Sequence, residues 1–331
     1  MAKQAIIAVD AMGGDNSPSV VLKGVESALL ADANLSVVLT GPEEVVKPFA
    51  NAHERCSFEV ATEVIDMAEH PARAVRKKKD SSIVVGCKLV KQGQAQGFFS
   101  AGSTGACLAA ATLFIGRIKG VMRPCLATVV PSPARPVIFC DIGANADCKS
   151  EYILQFAQMG SVYASKMLNY EHPKVGLLNI GEEDTKGSMF AQATNALLRE
   201  KLENFAGNAE GRDLLEGKFE VVVTDGFSGN VCLKTIEGTS KVLFRAIKQA
   251  MLSSLATKLA ALVLKGSFKQ LAAQVSPDTY GGAPLLGLRG ACIIGHGSSN
   301  EFAVKNGILT TANIVREGVS EIIEQTLSTS E

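Results

Sequence analysis

The sequence predicts an α/β protein, a mostly parallel sheet with helices on both faces, and three observations carry that expectation. Short apolar runs bounded by Gly, Pro or Asp recur along the chain. Helical spacing of apolar residues fills the intervals between them. The composition is 47% apolar but only 5% aromatic, without Trp and with 31 Gly in 331 residues. A core of Ala, Val, Leu and Ile suits helices packed on buried parallel strands.

In chain order, strands are expected at 5–9, 35–39, 57–61, 97–100, 125–130, 136–140, 174–178, 219–223 and 290–295. Helices are expected over 18–31, 42–52, 70–93, 104–116, 149–169, 186–204, 229–250, 254–273 and 310–328. No linker rich in Pro, Gly or Ser divides the chain, so residues 1–331 are expected to form one intertwined unit. Residues 241–273 read as a helical hairpin excursion. Within it Phe244, Ile247, Met251, Leu255, Leu259 and Leu262 recur at intervals of three and four, which predicts one apolar face. Leu259 through Leu264 are apolar all round, which suits a subunit interface or a contact with a bilayer surface.

Formal net charge is zero, so bulk attraction to nucleic acid is not expected. The eight Cys contain no C-x-x-C pair and several lie in apolar runs, so reduced buried thiols are expected. The first residues lead straight into a strand and read as no signal peptide. No apolar stretch has the length of a spanning helix. The expected location is cytoplasmic, with room for peripheral membrane contact. No His cluster at ligand spacing occurs, and neither G-x-G-x-x-G nor G-x-x-x-x-G-K-[ST] is present, so neither a metal nor a cofactor is expected.

Five strand exits repeat one design, a short polar residue beside Gly and then a helix start. They are Asp10-Ala11-Met12-Gly13-Gly14-Asp15, Ser100-Ala101-Gly102-Ser103-Thr104-Gly105, Asp141-Ile142-Gly143-Ala144-Asn145, Asn179-Ile180-Gly181-Glu182-Glu183 and Asp225-Gly226-Phe227-Ser228-Gly229-Asn230. Gly permits close approach of backbone to a ligand, and helix N-terminal amides favour anions. Placed on one edge of the sheet, the five would make a site. Taken alone, Ser100–Gly105 is better explained by a tight turn capped by Ser103 or Thr104.

Lys186 sits at an expected helix start, against the helix dipole, a conflict that a bound anion would remove. Asn230 and Lys234 are four apart and share a helix face beside Asp225. They either orient an anion and polarise a carbonyl, or serve as a surface pair. His296, in Gly295-His296-Gly297, is the one His of four in a Gly-rich strand exit, where imidazole suits proton transfer near pH 7. Arg73, Arg76, Lys77, Lys78 and Lys79 form the densest basic run, either a solvated helix face or a dock for an acidic partner.

Together with Lys186-Gly187, Lys234, Glu237-Gly238, the stretch from Tyr280-Gly281-Gly282 to Gly287, and His296-Gly297, these exits resemble the bacterial phosphate acyltransferases of phospholipid synthesis. The motifs are co-linear from the first strand to about residue 304. Ser103 departs from the Asn or Asp usual in that family. The resemblance implies transfer of a long-chain acyl group from acyl carrier protein to inorganic phosphate, the first step toward phosphatidic acid. It also implies a fold like that of isocitrate and isopropylmalate dehydrogenases, a homodimer, and peripheral membrane association beside a membrane glycerol-phosphate acyltransferase.

On that basis the Ser100–Thr104 loop with Lys186 or Lys234 is the expected phosphate clamp. Asp10, Gly13, Gly14, Asp141, Asn145, Asn179, Asp225, Gly281 and Gly282 are expected around it. Lys186, Asn230, Lys234 and His296 are the expected catalytic groups. Arg73, Arg76, Lys77 and Lys78 are expected to dock the carrier, and Leu255, Leu259, Leu262 and Leu264 to meet membrane or partner. A phosphotransacetylase-like enzyme using coenzyme A thioesters is the alternative. A nicotinamide-dependent dehydrogenase on the same fold and a non-catalytic scaffold fit less well.

Overall fold

The computed structural model describes residues 3–132, 134–274 and 277–328. Eleven strands form a mostly parallel sheet with helices on both faces, as the sequence predicts. The first half supplies β1 (Ala5–Asp10), β2 (Leu35–Gly41), β3 (Cys56–Val60), β4 (Gly97–Ser100), β5 (Cys125–Val130) and β6 (Val137–Cys140). The second half supplies β7 (Val175–Leu178), β8 (Phe205–Ala209), β9 (Val221–Val223), β10 (Ala283–Leu286) and β11 (Ala291–Ile294). Their order across the sheet is β3-β2-β1-β4-β11-β10-β5-β6-β9-β7-β8.

The helices are α1 (Ser19–Ala31), α2 (Glu43–Asn51), α3 (Pro71–Lys77), α4 (Ser82–Lys91), α5 (Thr104–Ala110) and α6 (Ser150–Leu168). They continue with α7 (Met189–Lys201), α8 (Asp213–Glu216), α9 (Gly226–Met251), α10 (Leu255–Gln274), α11 (Glu301–Arg316) and α12 (Val319–Ser328). A π-turn at Ala111–Ile115 extends α5. One apolar layer, with Phe99, Phe156 and Met159, covers one face of the sheet. A second, with Phe98, Phe139 and Leu214, covers the other. Burial on both faces explains why the strands read as continuous apolar runs rather than alternating ones.

Four expectations about the helices and strands need correction. Strands β8 and β10 were not expected, for each is short and interrupted by Gly, Asn or Pro. The single helix expected over 70–93 is two, because Lys78 Nζ donates to the Val64 carbonyl at 2.6 Å and Asp80 accepts from the Thr62 amide at 3.0 Å, which turns the chain between α3 and α4. The last expected helix, 310–328, is α11 and α12, broken at Gly318 with φ +64°. The apolar stripe of the 241–273 segment is not one face. The chain turns after α9, leaving Phe244, Ile247 and Met251 half-buried, while Leu255, Leu259 and Leu262 are exposed.

Strand sense matters most for the site. Pairing is parallel on either side, but β11–β10, β10–β5 and β5–β6 are antiparallel. Strands β1, β4 and β11 therefore run one way, and β6, β9 and β7 the other. The five expected exits do not share one edge. They form two groups, separated by the antiparallel centre. Twist of about 20–25° per strand step amounts to on the order of 100° over the five steps from β4 to β9.

Candidate active site

The first group joins the exits of β1, β4 and β11. The Asp10 carboxylate is buried and accepts the Ser100 hydroxyl at 2.7 Å and the Met12 amide at 3.0 Å. Ser100 Oγ in turn accepts the Gly102 amide at 3.0 Å. A Cβ at Gly13 would fall 2.7 Å from both Asp10 Oδ2 and the Gly102 nitrogen, so only Gly lets the two exits close on one another. Burial raises the Asp10 carboxyl above its ordinary range, and the hydrogen bonds from Ser100, Ser82 and the Met12 and Gly13 amides oppose that rise. Asp10 and Ser100 therefore hold the loops together, and their polar atoms face each other.

What this group leaves to a ligand is the start of α5. Ser103 occupies the N-cap position but makes no side-chain cap bond. The first amides of a helix have no carbonyl one turn back to bond. The third exit is stitched to the first by the Asp15 amide, which donates to the Gly297 carbonyl at 2.7 Å. His296 is exposed, and its Nδ1 accepts the Ser298 amide at 3.2 Å. In neutral imidazole that leaves the proton on Nε2. Gly281 and Gly282 answer to packing. A Cβ at Gly281 would lie 1.9 Å from the Gly307 nitrogen, and one at Gly282 2.7 Å from the Ile294 carbonyl oxygen.

The second group joins the exits of β6 and β9. Asp141 is the hub of its own loop, accepting the amides of Leu126, Gly143, Ala144 and Asn145 at 2.7–3.1 Å and the Asn145 side chain at 2.8 Å. Burial raises its carboxyl too, against the pull of those donors. Asn145 also donates to the Pro124 carbonyl at 2.8 Å, and its own carbonyl accepts the Gly226 amide at 2.7 Å. Asp225 caps α9 by accepting the Ser228 amide at 2.8 Å. Asp141, Asn145 and Asp225 are thus committed to building the loop, not to meeting a ligand.

The loop they build frames a cavity of about 580 Å³ lined by Gly143, Ala146, Gly226, Phe227, Asn230, Val231, Lys234 and Thr235. Asn230 and Lys234 do share a face, as their spacing predicts, and both line it. Lys234 Nζ lies 2.9 Å from Glu237, an exposed pair that an incoming anion competes with easily. Phe227 and Val231 were not anticipated. Their positions, four and three residues before Val231 and Lys234, continue the same helical face, so extending that periodicity one turn toward the N-terminus finds them.

The β7 exit stands beside that of β9. Asn179 spends its amide on the Lys186 carbonyl at 3.2 Å and its oxygen on the Ile180 amide at 2.8 Å. Lys186 precedes α7 rather than starting it, for Ser188 is the N-cap and accepts the Ala191 amide at 3.2 Å. The expected conflict with a helix dipole is therefore absent. Lys186 is exposed, with its Nζ 3.9 Å from Glu183.

The basic run is also divided. Lys78 pairs with Glu69 at 2.5 Å. Arg73, Arg76 and Lys77 line a separate cavity of about 470 Å³ with His70 and Ala72. On the hairpin, Leu255, Leu259, Leu262 and Leu264 are all exposed. No described helix is long and apolar enough to cross a membrane. Among the described residues no group of three or more His, Cys, Asp or Glu is placed to hold a metal ion. All eight Cys are free thiols.

Comparison with known proteins places the chain in a family. A family model described as "Fatty acid synthesis protein" matches residues 5–322. A phosphate acyltransferase of Desulfitobacterium hafniense (strain DSM 10664 / DCB-2) is 48% identical over 325 residues, 97% of each chain. One from Bacillus pumilus is 44% identical over 320 residues, 96% of each chain. Among solved structures, the EutD phosphotransacetylase from Staphylococcus aureus aligns at TM-score 0.58 and 17% identity over 94% of each chain. A branched-chain phosphotransacylase from Enterococcus faecalis V583 aligns at TM-score 0.59 and 12% identity, covering 94% of this chain and 99% of that one. These likenesses describe a shared fold. With relatives this similar over nearly its whole length, the chain belongs to the phosphate acyltransferase family of enzymes.

Proposed function

We propose that the enzyme moves a long-chain acyl group from acyl carrier protein to inorganic phosphate, with the two groups of strand exits as the walls of one cleft. The observation that carries this reading is the Asn230–Lys234 cavity, a cation and an amide side by side on a helix whose first turn is anchored to the β6 exit. On this reading phosphate lies against Lys234 and Asn230. The thioester carbonyl lies against the α5 amides, with His296 Nε2 at hand to orient the oxyanion or the anion.

The chemistry asks little of the protein. Phosphate is already an anion near neutral pH, so positioning and partial removal of water are the chief needs. A phosphate oxygen attacks the carbonyl carbon, the carbonyl oxygen takes the negative charge, and collapse expels the carrier thiolate. Preorganised donors at that oxygen typically supply about 3–4 kcal/mol each. No covalent enzyme intermediate is required. Cys107, buried beside the first group, has its thiol pushed up to about 12 by burial, and Cys148, beside the second, to about 11, the wrong direction for a nucleophile.

The wider setting follows from the product. Acyl phosphate hydrolyses readily, so its release beside a membrane glycerol-phosphate acyltransferase, on the way to phosphatidic acid, is advantageous. The exposed leucines of α10 provide the contact with a bilayer surface, and α9 with α10 provides the homodimer contact. The single-unit reading of residues 1–331 belongs to the same proposal. The test is acyl phosphate formation from a long-chain acyl-carrier protein, followed with and without phosphate and against the matching coenzyme A thioester. Phosphate-dependent product from the carrier substrate supports the reading. Product from the coenzyme A thioester alone replaces it with the phosphotransacetylase alternative.

A further inference from the structure

Arg73, Arg76 and Lys77 are three like charges at spacings of three and four on one short helix, an arrangement that opposes its own folding. Lys78 takes Glu69 at 2.5 Å, and among the described residues no carboxylate lies at ion-pair distance from the other three. In a chain of zero formal net charge with 33 acidic residues, that imbalance is local. The helix is held from below by buried Ala74 and Val75, so its cationic side is fixed in place rather than swinging on a free segment. The three cations and His70, all exposed, line an open, shallow depression of about 470 Å³.

Its position is informative. Pro71, at the first turn of α3, abuts the first turn of α5: a Cβ at Gly105 would lie 2.6 Å from Pro71 Cγ. Met67, on the segment leading into α3, abuts the β11 exit: a Cβ at Gly297 would lie 2.9 Å from Met67 Cε. Through Pro71 and Met67, the helix that carries the cations is therefore a neighbour of both loops assigned to the thioester carbonyl. An acyl carrier presents its thioester at the end of a flexible arm with two amide linkages, tied to the protein through a phosphodiester. That arm is longer than one interhelical spacing, about 8–10 Å.

We propose that the cavity of Arg73, Arg76 and Lys77 binds the phosphate at the root of the carrier's phosphopantetheine arm. This rests on the thioester reading above and assigns it a second anion site, distinct from the one for the acceptor phosphate. Guanidinium groups match phosphate oxygens in paired hydrogen bonds. Holding the root of the arm fixes how far its sulfur end reaches, so binding here places the carbonyl at α5.

The experiment compares phosphopantetheine with pantetheine, which lacks the phosphate, as ligands of the full-length protein by calorimetry, and their acyl thioesters as substrates. The wild type should bind phosphopantetheine about tenfold or more tightly. Arg73→Ala with Arg76→Ala should bring the two Kd values together and raise KM for the phosphorylated thioester with kcat little changed. Lys79→Ala, in the same basic run but outside the cavity, should leave the preference intact. Equal binding of the two ligands by the wild type overturns the proposal. So does a double variant that loses the carrier substrate while keeping the preference, since the cluster then reads the carrier's acidic surface. Displacement of phosphopantetheine by inorganic phosphate with the same affinity also overturns it. Should phosphopantetheine bind through these arginines while no thioester yields acyl phosphate, the cavity stands and the functional reading falls.

Discussion

Ser100 Oγ donates to Asp10 Oδ2 at 2.7 Å, joining the ends of two neighbouring strands ninety residues apart in the chain. The hydroxyl a sequence reader would offer to a ligand is instead the clasp between two loops. Ser100→Ala leaves a buried carboxylate short of a donor, which typically costs about 1–3 kcal/mol. Urea denaturation should show that loss at unchanged m-value. Because the clasp sets the start of α5, kcat should fall as well.

Asp10 gives a pH prediction with a definite sign. Its carboxyl is raised from 3.8 by burial. Between the unfolded and folded values the native state holds more proton than the unfolded state, so stability falls as pH rises through that window. Asp10→Asn removes the titration. The stability of wild type relative to the variant should decline from about pH 4 upward and then level off. Denaturation midpoints of both proteins from pH 4 to pH 8 measure it. A difference that grows with pH contradicts the assigned direction.

Two glycines of α9 should behave in opposite ways. A Cβ at Gly229 would meet the Asp141 carbonyl oxygen at 1.9 Å, backbone against backbone, whereas one at Gly238 meets nothing within 4 Å. Gly229→Ala should destabilise by about 2–3 kcal/mol or more. Gly238→Ala should stabilise by about 0.5–1 kcal/mol through helix propensity alone. Thermal denaturation of the pair separates close approach at the site from an incidental helix glycine.

Much of the frame was legible because βα units write themselves plainly. The apolar runs at β1, β4 and β6 and the glycine-rich exits after them are where the pattern places them. What pattern cannot carry is direction. Nothing in Ala283-Pro284-Leu285-Leu286 says that this stretch is an antiparallel strand, yet through it the sheet changes sense and the exits divide into two groups. Nor does residue type reveal which polar groups are already committed. Ser100, Asp141, Asn145, Asn179 and Asp225 all read as ligand groups, and all are occupied by partners that only the folded chain supplies. Asn230 and Lys234 were legible because helical spacing fixes a shared face.

Lys234 is exposed beside Glu237, so Lys234→Ala should alter stability by no more than about 0.5 kcal/mol. On the proposed reading the substitution should instead lower kcat/KM for phosphate about 10–100-fold. Steady-state kinetics with phosphate varied at saturating thioester provide the check. Unchanged kinetics remove the residue from the site.

Leu259 and Leu262 project from α10 with 66% and 67% of their surface exposed. Replacing both with Glu should abolish flotation of the protein with anionic liposomes while leaving its folding intact. Persistent flotation would assign those leucines to the dimer alone.

The arrangement of the cleft is tested most directly by a crystal of the enzyme soaked in inorganic phosphate. The anion should lie within hydrogen-bond distance of Lys234 Nζ and Asn230 Nδ2, with the α5 amides across from it. Phosphate bound only at the Arg73–Lys77 cavity, or on a face remote from both groups of strand exits, would contradict the account.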